Sequence, residues 1–262
     1  MKVYLVASEV IAYLKVLQEE GARIMLSFGH CPTGIDKVLP MFRSIALDSG
    51  GYQLQTLGRR APKWINPHQY ALWLNHALSK YGDKIDCYFT LDGVRNAQET
   101  CQNQRFLEAC GLKPVPIWHY GEEIRCLECF CRRYKLIGVG GIGKAYANST
   151  ELRKLFTLLG KLYPEVKFHS LGMGLTAVKF ARLLKPYSID CKTWLNPAIY
   201  GQRVVTHDGV VKTVDLGEQE RERLRRDPAR LREALVEAVR AFMALENSTV
   251  AKAEGGKDGD RL

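Results

Sequence analysis

Three aspartates stand where apolar runs end: Asp48 closes SIALD (44–48), Asp92 closes IDCYFTLD (85–92) and Asp190 lies in YSIDC (187–191). Other runs end in Gly140-Gly141, in Gly172, and in His119-Tyr120. Carboxylates without partners repel one another and resist leaving water, so three of them at strand tips need a reason. A helix N-cap or a loop-organising acid explains any single one. It explains Asp190 poorly, because CKTW follows rather than an obvious helix start. Together the three suit chemistry at a sugar carbon. One acid can attack the carbon to form a covalent intermediate, and a second can carry the leaving group's proton. The third can accept paired N–H donors from the amide edge of a purine. Glycines let a flat ring approach the main chain closely. Tyr52, in LDSGGYQ (47–53), can stack on that ring for roughly 1–3 kcal/mol, or fill a core.

Those tips belong to a recurring pattern. β-like runs over 2–7, 23–28, 44–48, 85–92, 114–120, 136–141, 167–172 and 187–191 alternate with helix-length stretches. The helices are expected at 9–20, 34–42, 67–80, 95–110, 121–133, 149–162 and 174–184, with a long loop between Asp48 and residue 67. On the third of these, Tyr70, Trp73, Leu74 and Ala77 share a face. Eight apolar strands in βαβ order predict an α/β fold, a (β/α)8 TIM-type barrel over residues 1–200. An open doubly wound sheet usually carries a glycine-rich loop after its first strand, whereas Ser8-Glu9 stands there. In such a barrel, catalytic groups project from the C-terminal strand ends, which is where the three aspartates fall.

Residues 201–246 predict a hairpin and a helix packed on the barrel. RVVTHDGVVKTVDL (203–216) turns at Asp208-Gly209, and Asp227-Pro228 opens the helix. Its stripe is Leu224, Leu231, Leu235, Val239 and Phe242, and its arginines and glutamates form a solvated face. The polar stretch 247–262 is expected to be a disordered tail.

Composition narrows the class. The 262 residues are 46% hydrophobic and 25% charged, ordinary for a soluble globular protein. No run reaches the roughly 20 apolar residues of a membrane span, and MKVYLVASEV reads as a strand rather than a signal peptide, so a cytoplasmic protein is expected. Eight cysteines in a chain of this length do not predict a disulfide framework, and Cys87 and Cys110 sit in apolar segments as small buried hydrophobes. Cys126, Cys129 and Cys131 resemble a zinc half-site. At i, i+3 and i+5 of a helix they do not share a face, and a structural site needs four ligands, so no metal is expected. His68 and His76 are expected on the surface or in packing. The net charge of +10 favours a polyanionic partner, although a merely basic surface fits equally.

The motif LDSGGYQ, with GVGG at 138–141 and a strand-ending aspartate near 190, resembles the tRNA-guanine transglycosylase superfamily, whose members are modified (β/α)8 barrels that exchange guanine for a 7-deazaguanine. The likeness covers about residues 40–195, with DSGGYQ specific and GVGG weak alone. HYGEE (119–123), IGVGGIG (137–143), FHSLGMG (168–174) and YSIDCKTW (187–194) are more similar to the branch that modifies deoxypurines in DNA. The resemblance implies Asp190 as nucleophile on C1′, Asp48 as general acid/base and Asp92 as reader of the guanine edge. It implies main-chain contacts to the base from Gly140 and Gly141, Tyr52 as one wall of a base sandwich and Leu171, beside Gly172, as the other. Ser49 and His119 are further implied base contacts, while Gly50 and Gly51 make room for the ring. The tRNA enzymes carry a CxCxxC zinc site after the nucleophile, whereas here only Cys191 follows Asp190. That departure favours DNA over tRNA.

The implied activity is a glycosyl transfer placing a base such as preQ0 in DNA, without cofactor, with tRNA as the alternative polymer. A non-catalytic nucleic-acid-binding subunit and a small-nucleoside enzyme are the competing classes. Retention of Asp48, Asp92 and Asp190 together argues against the former. Arg59, Arg60 and Lys63 are the first candidates for a nucleic-acid track, or form an ordinary solvated loop. A base in a duplex must be extruded before C1′ can be attacked. The sequence has no obvious module for that, so a partner protein that opens DNA is an expected addition.

Overall fold

The computed structural model describes residues 1–93, 96–141, 149–172, 186–207 and 210–254. Eight parallel strands alternate with helices in a curled, half-barrel sheet, a TIM-like α/β fold. The strands are β1 (Lys2–Val6), β2 (Arg23–Ser27), β3 (Ile45–Asp48), β4 (Ile85–Tyr88), β5 (Ile117–His119), β6 (Leu136–Gly140), β7 (Lys167–Ser170) and β8 (Ser188–Cys191). They lie in the order β4-β3-β2-β1-β8-β7-β6-β5. Beyond the two outer strands, a parallel bridge joins Phe89 to Val115, with Thr90 N–H donating to Val115 O at 2.9 Å and Val115 N–H to Tyr88 O at 2.7 Å.

The connecting helices are α1 (Ile11–Glu19), α2 (Ile35–Val38), α3 (Gly51–Leu57), α4 (Pro67–Tyr81), α5 (Ala97–Ala109), α6 (Ile124–Arg133) and α7 (Ser149–Leu162). The expected strands and helices recur within a few residues of their predicted ends. One expectation fails: the stretch after Asp48 is not a long loop, because α3 begins inside the glycine motif. Short helices of this kind carry little periodicity to read. The helix expected at 174–184 lies outside the described residues.

Alternation along the strands sorts side chains into two sets. One set packs outward against the helices: Val3, Leu5, Ile24, Leu26, Ile45, Leu47, Ile137, Val139 and Ile189 meet Leu14, Leu17, Tyr70, Leu74, Leu107, Leu127 and Leu152. Each fully buried side chain of this size contributes about 1.5–3 kcal/mol. The other set, Tyr4, Met25, Ala46, Phe89, Val115 and Ile117, fills the concave side with Val6, Cys87, Leu136 and Leu171 against it. The side chain two residues further along shares that inner side. Thus Ser27 follows Met25, Asp48 follows Ala46, His119 follows Ile117, and Asp190 follows Ser188.

After β8, Thr193–Leu195 form a 3-10 turn, and buried Trp194 donates its Nε1–H to Val6 O at 3.0 Å. The turn runs into α8 (Asn196–Tyr200). The hairpin is antiparallel, β9 (Gln202–His207) with β10 (Val210–Asp215), and its predicted turn Asp208-Gly209 lies outside the described residues. Leu224 does not belong to the last helix as expected. It lies buried in a separate α9 (Glu218–Arg226), because Asp227 is extended and caps α10 (Pro228–Glu254), accepting from Ala229 N–H at 2.9 Å. Buried Leu235, Val239 and Phe242 dock α10, and its arginines are not all simply solvated: Arg232 pairs with Glu19, and Arg240 with Glu20 at 2.8 Å. Glu246 accepts from Val3 N–H at 2.6 Å and Arg23 Nε–H at 3.2 Å. The helix continues to Glu254, so the segment from 247 is helical where a disordered tail was expected; 255–262 lie outside the described residues.

Among the described residues no helix is long and apolar enough to cross a membrane.

Candidate active site

The C-terminal strand ends gather the predicted groups. Asp48 ends β3, and its Oδ2 accepts from Gly50 N–H at 3.0 Å. Burial raises its pKa first, then the Asp92 and Asp190 charges; the Ser27 and Gly50 donors offset part, leaving it near 6 instead of 3.8. The three aspartates, remote in sequence, therefore feel one another. A carboxyl titrating near 6 holds or releases a proton close to neutral pH, as a general acid/base requires.

Both glycines of the motif are required. Gly50 has φ +86°, and a Cβ there would lie 2.6 Å from Gly29 Cα. At Gly51 a Cβ would fall 2.0 Å from Asp92 Oδ1, so this bare position lets the β3 tip close over the β4 tip. Ser49 is fully buried, accepting from Gly51 N–H at 3.3 Å with its Oγ 3.5 Å from Asp92 Oδ1. Tyr52 is 70% exposed on the first turn of α3, so it is not a core tyrosine.

Asp92 is buried, and its Oδ2 lies 3.0 Å from His119 Nε2. On the other side of the ring, Nδ1 is 3.5 Å from Glu122 Oε1, while His119 N–H donates to Glu122 Oε2 at 3.1 Å. Burial works against charging this ring, but the Asp92 and Glu122 carboxylates outweigh it and raise its pKa to about 9. His119 is thus an imidazolium at neutral pH, with one acid on each nitrogen. Gly140 is buried beneath it, where a Cβ would meet His119 Cδ2 at 2.4 Å. Gly141 is exposed at φ +75°.

Asp190 is 6% exposed. Its Oδ1 accepts from Gly172 N–H at 2.8 Å and lies 3.3 Å from His169 Nε2. His169 is fully buried, with Nδ1 2.8 Å from Ser188 Oγ. Leu171 is half-buried against the inner cluster.

Sequence reasoning missed His169, Ser188 and Glu122. Period-two alternation carried the signal for the first two, since His169 precedes Leu171, and Ser188 precedes Asp190, by two residues on the inner side. Glu122 was visible only as a neighbour within HYGEE. His30, also missed, lies beyond β2 and hydrogen bonds to Gln53, with burial and the Lys192 charge both lowering its pKa.

The remaining assignments sit apart from the acids. Arg59 and Arg60 fall in a 3-10 turn after α3; Arg60 and Lys63 are exposed on the connection to α4, and the Arg59 side chain is outside the described residues. Cys126, Cys129 and Cys131 lie on α6, half-buried, exposed and buried in turn. Among the described residues no group of His, Cys, Asp or Glu is arranged to hold a metal ion. Cys110 is exposed, against expectation, because it caps the C-terminus of α5. His76 pairs with Asp36 at 3.0 Å, and His68 packs on the Phe106 ring at 4.5 Å.

The arrangement offers a proton carrier near pH 6, a buried carboxylate anchored, among the described residues, on one oxygen, and an acid–imidazolium–acid row. Negative charge of this kind stabilises positive charge developing at a sugar carbon. No protein-family model matches the chain, and no curated protein matches it.

Proposed function

We propose that this protein is a base-exchange glycosyltransferase of the transglycosylase type, replacing guanine in DNA with a 7-deazaguanine such as preQ0. The observation that carries the reading is the electrostatic coupling of Asp48, Asp92 and Asp190 at one end of the sheet. Asp48 is lifted first by burial and then by the charges of its fellow acids, Asp92 and Asp190.

Asp190 is the nucleophile. Its carboxylate forms a bond to C1′ as the bond from C1′ to the base nitrogen breaks, and the departing guanine takes a proton from Asp48. In the second half, Asp48 removes a proton from the incoming base, which attacks C1′ and releases Asp190. Asp92 receives the N1–H and exocyclic amine of the base. Among the described residues its Oδ1 has one hydrogen-bond contact, Ser49 Oγ at 3.5 Å, and each carboxylate oxygen carries two lone pairs. His119 holds Asp92 in place, with Nε2 3.0 Å from Oδ2. The main chain at Gly140 and Gly141 lies along the base, exposed Tyr52 stacks on one face, and Leu171 lines the other. Arg60 and Lys63, with Arg59, meet phosphates, in keeping with the net charge of +10. No metal is invoked. The Phe89–Val115 bridge supports closure of the sheet into a full barrel between β4 and β5. The enzyme would work in the cytoplasm, with a partner to open duplex DNA.

The test is incorporation of labelled guanine or preQ0. Wild-type protein should label single-stranded DNA, and Asp190→Ala should not. Labelling of tRNA alone overturns the choice of polymer. Binding without exchange by the wild type supports a scaffold instead.

A further inference from the structure

Asp190 presents its two oxygens unequally. Among the described residues both donors fall on Oδ1, Gly172 N–H at 2.8 Å and the His169 ring at 3.3 Å, and none falls on Oδ2. The His169 ring cannot turn freely. It is fully buried, 4.7 Å from the Phe89 ring and 6.0 Å from Tyr4 between centroids. It sits on β7 in register with Ser188 on β8. A carboxylate only accepts, so Nε2 is the donor to Asp190. In the neutral ring Nδ1 then carries the lone pair and accepts from the Ser188 hydroxyl at 2.8 Å.

We propose that His169 is a positioning residue, with Ser188 setting its tautomer, that commits Oδ2 of Asp190 to attack. This rests on the base-exchange reading. An electron pair of Oδ2 forms the bond to C1′ while the bond to the base nitrogen breaks and Asp48 supplies the proton to the leaving base. Oδ1 becomes the carbonyl oxygen of the glycosyl ester, still accepting from Gly172 and His169. When the incoming base, deprotonated by Asp48, attacks C1′, the C1′–Oδ2 pair returns to the carboxylate. The two donors are already aimed where that anion reforms, so His169 acts most on breakdown of the ester.

The experiment traps the adduct between the protein and a guanine-containing single-stranded DNA oligonucleotide, then chases it with guanine. In His169→Leu the adduct should break down about 10–100-fold more slowly than in wild type, with kcat reduced and KM for guanine nearly unchanged. His169→Gln, which can return an N–H near Nε2, should recover most of that loss, and Ser188→Ala should cost about threefold to tenfold. A melting curve for each variant identifies any loss that is unfolding. A folded His169→Leu whose adduct turns over at the wild-type rate overturns the role of His169 alone. A glutamine variant no better than leucine also overturns it, leaving a packing role. Failure of the wild type to form any adduct removes the base-exchange reading instead.

Discussion

Asp48 and Asp86 stand on neighbouring strands, at opposite ends of the same sheet, and have opposite surroundings. Asp86 Oδ2 accepts from Tyr4 Oη–H at 2.7 Å and from the Ser44 hydroxyl, with Lys2 Nζ at 3.5 Å. Burial raises its pKa, but the Ser44 and Tyr4 hydrogen bonds and the Lys2 and Arg23 charges outweigh that and hold it below the ordinary carboxylate value. Asp48 has the Gly50 N–H, the Ser27 hydroxyl and two other acids for company, and sits near 6. One end of the sheet satisfies its acid and is stabilised by it. The other buries Asp48 beside the Asp92 and Asp190 charges, which costs stability once Asp48 ionises. In (β/α)8 barrels chemistry occupies the C-terminal strand ends and the N-terminal ends serve stability, which is the division the proposed function requires here.

The sharpest test of that contrast removes the proposed nucleophile. Asp190→Ala should lower exchange by about 10⁴-fold or more with the fold intact, measured by label incorporation beside circular dichroism. Gly51→Ala comes next. The added methyl meets Asp92 Oδ1 at 2.0 Å, so the β3 and β4 tips must part, and exchange should fall about 100-fold while denaturant stability changes less.

At the opposite end, Asp86→Ala should lower stability by about 1–2 kcal/mol, because Tyr4 and Ser44 lose their acceptor, and leave exchange within about twofold. Its sign with pH follows from the depressed carboxyl. The contribution is present above the unfolded value and lost as pH falls through the folded one, so wild type and variant should converge in acid. If exchange falls with stability, the two ends are not separable.

The remaining stability effect has the reverse sign. Asp48 binds its proton more tightly folded than unfolded, so its contribution is full below pH 3.8 and is lost as pH rises through about 6. Asp48→Asn should therefore gain about 1–2 kcal/mol at pH 7.5 over wild type, a figure reduced for its partial exposure, and the gain should vanish near pH 4. Exchange should be lost despite that gain. A variant no more stable than wild type at pH 7.5 would mean that Asp48 is not opposed by its neighbours.

Much of the frame was legible in the residues. The eight strands, their tips and the three acids followed from apolar runs in βαβ spacing and from what ends each run. Asp227-Pro228 marked a helix start that the structure keeps, and the helix expected at 67–80 begins at Pro67. Helix α3 was not legible, because two glycines and a helix of seven residues carry too little periodicity. Leu224 was assigned to the wrong helix because its spacing from Leu231 fits one continuous stripe, and the extended Asp227 that separates them leaves no mark in a hydrophobic pattern. His169 was overlooked among the tips because it lies one layer below them.

By itself, the sequence determined the α/β class, the strand ends and the identity of the acids there, since these follow from local pattern and residue type. Only the tertiary structure decided which groups oppose and which satisfy one another. Asp48 near 6 and His119 near 9 arise from burial and from charges, most of them far away in the chain on strands made neighbours by the curl of the sheet, and the anchoring of Asp190 Oδ1 comes from Gly172 and His169 on the neighbouring strand's end. Local sequence fixes what a side chain is. Its proton affinity depends on what folding brings within a few ångströms of it.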